Sequence, residues 1–246
     1  AAQRPPWLAR VALLVGLLAL TNGFGLLVSM AIERWGLPAG WSIQEAKRKP
    51  GQLRRHLPLI AANFVTLEVL GGTAFALFSD MFHFARPGFV ESVVVLGILV
   101  LFDDFGFYWI HRLLHVNKTL YRKVHKIHHR GFAPVPIEYF YAHPAEWMTG
   151  SMAPVVAIVG LILVSGSLNA WLLLAWVLFR QVHELDIHSG LKSPLGDWIP
   201  LWGNTLHHDQ HHAKPNHGNY ASTLYFWDLV FGTRIALPSV PERETA

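Results

Sequence analysis

The sequence predicts an all-α protein: a multi-pass membrane helical bundle of three spans plus a helical hairpin, with a cytoplasmic His-rich helical cap. Three observations predict it. The 246 residues are 52% hydrophobic and 15% charged, where a soluble domain carries about 25% charged residues. The apolar residues gather into four long runs. Thirteen of the fifteen histidines follow residue 110, in clusters beside those runs. The chain has no Cys, which excludes a disulfide scaffold, thiol catalysis, iron–sulfur clusters and zinc sites built on thiolate. This much apolar surface also excludes disorder. A single membrane-embedded domain over 1–246 is expected.

The elements follow in chain order. Residues 11–32 carry no charge, and about 20 apolar residues cross a bilayer, so they form the first span. They show no small-residue cleavage site, so they do not read as a signal peptide. Residues 57–82 form the second span, with Glu68 inside it. Residues 88–110 form the third, interrupted by Glu91, Asp103 and Asp104. The fourth run, 153–179, again lacks charge, but Ser165-Gly166-Ser167 is a turn signal. Histidines lie on both sides of this run. A single crossing would put the two groups on opposite faces of the membrane, whereas a hairpin over 150–183 returns the chain to the first face.

Basic residues agree with the hairpin. Arg34, Lys47, Arg48, Lys49, Arg54 and Arg55 separate the first two spans. Arg112, Lys118, Arg122, Lys123, Lys126 and Arg130 follow the third. Basic loops stay cytoplasmic, so the His-rich cap, 111–149 and 183–233, is cytoplasmic too. Arg4 and Arg10 fall on the opposite side against this trend. Residues 224–231 are too short to span and are expected to lie at the interface or cap the site. The tail from 238 reads as disordered.

His111-Arg-Leu-Leu-His115 places two imidazoles one helical turn apart on one face. His125-Lys-Ile-His128-His129 and His208-Asp-Gln-His211-His212 repeat an HxxHH spacing, with His207 just before the second. Such a cluster can reach one metal with two rings and a neighbouring metal with the third. His183 and His188 sit where the hairpin re-enters the cap. Neutral imidazole is the commonest metal ligand. Ten such rings exceed what one ion takes, so two metals are expected. His56 and His83 read as ordinary satisfied residues.

These motifs resemble the histidine boxes of the fatty acid hydroxylase and sterol desaturase superfamily. Tyr141-Ala-His143-Pro-Ala-Glu146, Asp186-Ile-His188-Ser-Gly190, Gly218-Asn-Tyr220-Ala-Ser-Thr223 and Trp227-Asp228-Leu-Val-Phe-Gly-Thr233 are most similar to the C-4 methylsterol monooxygenases. The likeness runs from about Asp103 to Thr233. It implies a multi-pass enzyme with two non-haem irons that oxidises a lipid C–H bond with O2. The implied metal ligands are His111, His115, His125, His128, His129, His188, His208, His211 and His212. His183 joins them because fatty acid hydroxylase members place a further His there. Methylsterol members tend to have an acidic residue at that position, a departure from the sterol pattern. His143, His207 and His217 are second choices as ligands.

The chemistry agrees with the residues. No side chain supplies an oxidant strong enough for a C–H bond, so the metals carry that step, and no further catalytic residue is expected. Ligating imidazoles usually donate their second N–H to an acceptor. Asp104, Glu146, Asp186 and Asp209, with Asp103 and Glu184, are candidates. Asp104, Tyr108, His111 and His115 share one helical stripe. His143, His207 and Asn219 are further outer partners, and Asn204 and Asn219 are expected to fix the loops around the last cluster.

The expected partners are a lipid or sterol substrate, the membrane, and a separate electron donor, cytochrome b5-like or a ferredoxin with its reductase. Nucleic acid is not expected: topology and anionic headgroups account for the basic residues. Zinc can replace iron in recombinant protein. The tail ends Arg243-Glu-Thr-Ala246 without a dilysine signal. That favours a bacterial cytoplasmic membrane, or the endoplasmic reticulum for a eukaryotic chain. The alternatives are fatty acyl or sphingolipid hydroxylation, ring desaturation, a membrane zinc hydrolase, and a His-rich metal transporter.

Overall fold

The computed structural model describes residues 7–37, 40–44, 48–193, 195–214 and 216–235. Arg4, Lys47 and the tail from 238 lie outside the described residues. Helix α1 covers Trp7–Trp35, α2 Gln52–Leu77 and α3 Phe89–Val116. Short helices α4 (Lys118–Lys123) and α5 (Pro144–Gly150) precede α6 (Met152–Ser165) and α7 (Ala170–Ile187). Helices α8 (Leu195–Trp198), α9 (Thr205–Ala213) and α10 (Phe226–Val230) complete the cap. Among the described residues, four stretches are long and apolar enough to cross a membrane: α1, α2, α3, and α5 with α6 taken together as Pro144–Ser165.

The buried residues of α1 are Arg10, Leu14, Leu18, Asn22, Gly25 and Ser29, one face at steps of three and four. Leu14 and Leu18 meet Phe75 of α2 and Leu173 and Leu174 of α7 in the main core. A second core under the cap joins Leu53 and Ile60 to Val135, Ile137, Phe140 and Leu185. Helix α1 packs against α2 and α7, and α3 against α6 and α7. Gly106 permits the α3–α6 contact, because a Cβ there would sit 2.1 Å from the Cβ of Ala153. Small residues allow such close approach of membrane helices.

The hairpin is present. Helix α6 ends at Ser165, and Gly166 caps it at φ 79°, a left-handed conformation that glycine adopts without strain. Two details differ from the sequence reading. The second span runs over 52–77 instead of 57–82, because Ser79–Met81 forms a 3-10 turn. The all-α description also misses a small element. Strand β1 (Phe82–His83) pairs in parallel with β2 (Leu168–Asn169), Phe82 with Leu168 and His83 with Asn169. This pair ties the α2–α3 connection to the hairpin tip, so both lie at the end remote from the His-rich cap.

Candidate metal centre

Helix α3 continues through His111 and His115, and both rings are buried beside Asp104 and Tyr108. Residues 125–130 form a 3-10 helix, and 208–212 lie in α9, whose start Asn204 caps by accepting from His207 N at 2.9 Å. These segments meet His188 at the end of α7. Nine rings fall into two groups: His111, His115, His125, His129 and His211; and His128, His188, His208 and His212. Each HxxHH segment is divided between them. His125 and His129 join one group and His128 the other, while His208 and His212 join the second and His211 the first.

The rings converge through Nε2. In the five-ring group, His111 to His125 is 3.1 Å, His115 to His211 3.1 Å and His129 to His125 3.0 Å. In the four-ring group, His208 to His188 is 3.0 Å and His212 to His208 3.1 Å. Three rings have their protonation fixed from behind, and a fourth lies against a carboxyl group. Nδ1 of His111 donates to Tyr220 O at 2.7 Å, that of His211 to Gly218 O at 2.8 Å, and that of His188 to Glu184 O at 2.9 Å. Nδ1 of His125 faces Glu146 Oε1 at 2.9 Å. Carbonyls accept, so in His111, His211 and His188 Nδ1 carries the proton and Nε2 presents a lone pair.

Lone pairs crowded at about 3 Å repel one another unless a cation lies among them. Donors at right angles around an ion with metal–nitrogen bonds of about 2.1 Å are about 3.0 Å apart. The residues therefore fit two metal ions. Burial, aided by neighbouring imidazoles, holds His125, His129, His208, His211 and His212 well below the usual histidine range. It pushes His128 down to about 3. All six are thus neutral, the form that binds metal, at physiological pH.

His183 lies outside both groups. Its Nε2 donates to Gly203 O at 3.2 Å and its ring stands edge-on to Trp202. The cause is angular: five residues at 100° each turn His183 about 140° away from His188 around α7. The outer residues divide similarly. Glu146 touches a ring of the five-ring group. Asp104 instead accepts from Thr223 N and Leu224 N at 2.8 and 3.1 Å, pinning the loop that presents the Tyr220 carbonyl. Asn219 binds His207 O and accepts from Ile235 N. His207 faces Asp228 at 3.1 Å. His143 caps α5 by accepting from Ala145 N. Asp186 bonds Ser193, Asp209 sits on α9 between the paired rings, and His217 is exposed. His56 is satisfied by Glu138 at 2.6 Å and stacks on Tyr141.

A cavity of about 650 Å³ opens beneath the rings. His111, His128, His188 and His208 form its head, and Leu14, Phe75, Ile158 and Leu173 its apolar body. From Leu173 to His188 it follows α7 for about 22 Å at 1.5 Å per residue. A polar waist divides head from body. Arg180 Nε meets Asp103 at 2.6 Å, and its NH1 meets Glu184 at 2.7 Å. Gln181 and Tyr139 bond each other beside it. The sequence reading did not single out Arg180, Gln181 or Tyr139. The Arg180–Glu184 spacing of four at the end of an apolar run was the available signal.

A family model described as fatty acid hydroxylase matches residues 96–233. The chain belongs to this family. Methylsterol monooxygenase 1 of Rattus norvegicus is 39% identical over 191 residues, covering 73% of this chain. The chain spans 61% of that relative's length. A very-long-chain aldehyde decarbonylase of Oryza sativa subsp. indica is 35% identical over 219 residues, 84% of this chain and 79% of the relative. Methylsterol monooxygenase 2-2 of Arabidopsis thaliana is 30% identical over 220 residues, 82% and 77% of the two chains. No solved structure matches.

Proposed function

We propose that this member of the fatty acid hydroxylase family is a membrane lipid oxidase. Its nine converging histidines hold two irons, and it uses dioxygen and external electrons to hydroxylate a lipid C–H bond, with 4-methyl sterols as first candidates. One observation carries the reading: nine imidazole Nε2 atoms converge on two points at the head of an apolar cavity. Iron bound there supplies the oxidising power that side chains lack.

The chain's own residues do the rest. The carbonyls of Tyr220, Gly218 and Glu184 aim three rings and keep their inward nitrogens unprotonated, and Glu146 lies against a fourth, His125. The apolar body excludes water and holds the hydrocarbon part of the substrate. The waist of Asp103, Arg180, Glu184 and Gln181 meets the lipid's polar group and fixes which carbon lies under the rings.

Hydroxylation by dioxygen consumes two electrons and two protons, so an electron donor is needed, and a docking donor protein is proposed. No acidic residue occurs between Asp104 and Glu138, and Lys118, Arg122, Lys123, Lys126 and Arg130 are exposed. A cleft of about 340 Å³ lined by Lys118, Tyr121, Arg122 and Asn216 reaches His115 beneath this surface. An acidic donor fits it by charge. The basic loops favour a cytoplasmic side for this face.

The relatives' names set the screen: 4-methyl sterols, then long-chain aldehydes, then fatty acyl lipids. A zinc hydrolase keeps three ligands and an open position, fewer than either group offers. A transporter places its site near the bilayer midplane, whereas these rings sit at the end of α3. The test is metal per chain after iron-supplemented expression, for the wild type and a His128→Ala, His211→Ala double variant. Two irons per chain, lost in the variant, support the proposal. No metal, or one zinc untouched by the substitutions, overturns it.

A further inference from the structure

We infer that the cavity is loaded sideways, from the hydrocarbon of the bilayer, through a slot between α2 and α6. The inference rests on the lipid-oxidase reading and adds the route by which substrate arrives. The packing of the bundle carries it. Helix α2 packs on α1, α1 on α7, α7 on α3 and α3 on α6. These five helices form a horseshoe around the cavity, and its two ends, α2 and α6, scarcely touch.

Both ends nevertheless line the cavity. Leu67, Gly71 and Ala74 contribute from α2 and Phe78 from its C-terminal cap, at steps of three and four, and Val155 and Val159 from α6. Phe78, Val155 and Val159 are 52%, 48% and 48% exposed, so the wall they form is also the outer surface of the protein. Gly71 and Ala74 keep the α2 side of the lip small. A Cβ on Gly71 would meet nothing within 4 Å.

The slot is framed at both ends. Towards the His-rich cap, Trp147 Nε1 donates to Asn63 Oδ1 at 2.9 Å, and Asn63 Nδ2 bonds the carbonyls of Phe140 and Ala142 at 2.8 Å. This clasp ties α2 to α5 and closes the cavity on the water side. At the remote end the β1–β2 pair closes it. Between Asn63 and Phe78 the opening follows α2 for about 22 Å. Both flanking helices lie in stretches apolar enough to cross a membrane, so the slot faces lipid tails. The ligand it admits is an elongated, membrane-dissolved lipid that enters lengthwise and moves its polar end up to the waist.

The test uses the full chain in lipid nanodiscs. A diazirine-bearing sterol and a diazirine-bearing fatty alcohol are added in separate runs, and covalent labelling is followed over time by mass spectrometry. Gly71→Trp fills the slot from a position with open space around it. Ala74→Phe is a second block, and Gly16→Trp, on α1 with equal space and away from the cavity, is the control. The expected result is at least tenfold slower labelling in both blocking variants, with wild-type rates in the control and unchanged metal per chain and thermal midpoint throughout. Equal rates in the wild type and both blocking variants overturn the slot and leave the oxidase reading standing. A wild-type chain that takes up neither probe overturns the oxidase reading and the slot with it.

Discussion

Replacing Glu146 separates the two halves of the centre. Its carboxylate faces Nδ1 of His125 at 2.9 Å, and its side chain is 14% exposed. His125 belongs to the five-ring group alone. Removing an acceptor behind a ligating histidine typically costs 10–100-fold in metal affinity, about 1.4–2.7 kcal/mol. Glu146→Leu should therefore weaken one ion by that factor and leave the other unchanged. Glu146→Gln keeps an oxygen acceptor and should fall between. The assay reloads metal-stripped protein with ferrous iron against a competing chelator. Two backgrounds make it decisive. In His208→Ala, which disables the four-ring group, the remaining ion should show the whole loss. In His129→Ala, the added Glu146→Leu should change little. Equal weakening of both ions, or none, would refute the assignment of Glu146 to one group.

Other outcomes follow from the same geometry. Asp104→Ala orphans the amides of Thr223 and Leu224 and should cost about 3 kcal/mol, read as a lower thermal midpoint in detergent; an unchanged midpoint contradicts the latch. The buried histidines are held below their ordinary value, so below about pH 6.5 the unfolded chain takes up protons that the folded chain refuses. Stability of the metal-free protein should fall as the pH drops from 7.5 to 5.5, and a flat profile would mean that these rings protonate freely in the fold. Gly106→Leu should prevent α3 and α6 from closing and abolish folded protein, as judged by size-exclusion chromatography. Neutralising Arg122 and Lys126 together should weaken binding of an acidic donor and flatten its salt dependence, leaving metal content unchanged.

The histidine boxes were legible because helical spacing is a local property. Rings at i, i+3 and i+4 share a side wherever the segment lies, and the split of each HxxHH between two groups follows from the same steps. The hairpin was legible because the turn signal, most of the basic residues and the need to reunite the histidines pointed one way. His183 was misplaced because its residue type was weighed above its angle: five positions from His188 is the wrong phase for a shared face. The charged waist stayed hidden because Arg180 meets Asp103 from a different helix, 77 positions away in sequence. Nothing local announces such a pairing. The loop carbonyls behind His111 and His211 were hidden for the same reason, since every residue has one and only the fold selects which is used.

Helix α3 has 28 residues, or about 42 Å of rise, against about 30 Å of hydrocarbon. The surplus carries His111 and His115 to the waterline. On the lipid-oxidase proposal, the hydrocarbon substrate and its reductant would occupy different phases, and neither could diffuse to the other. The nine rings lie at the boundary between those two phases.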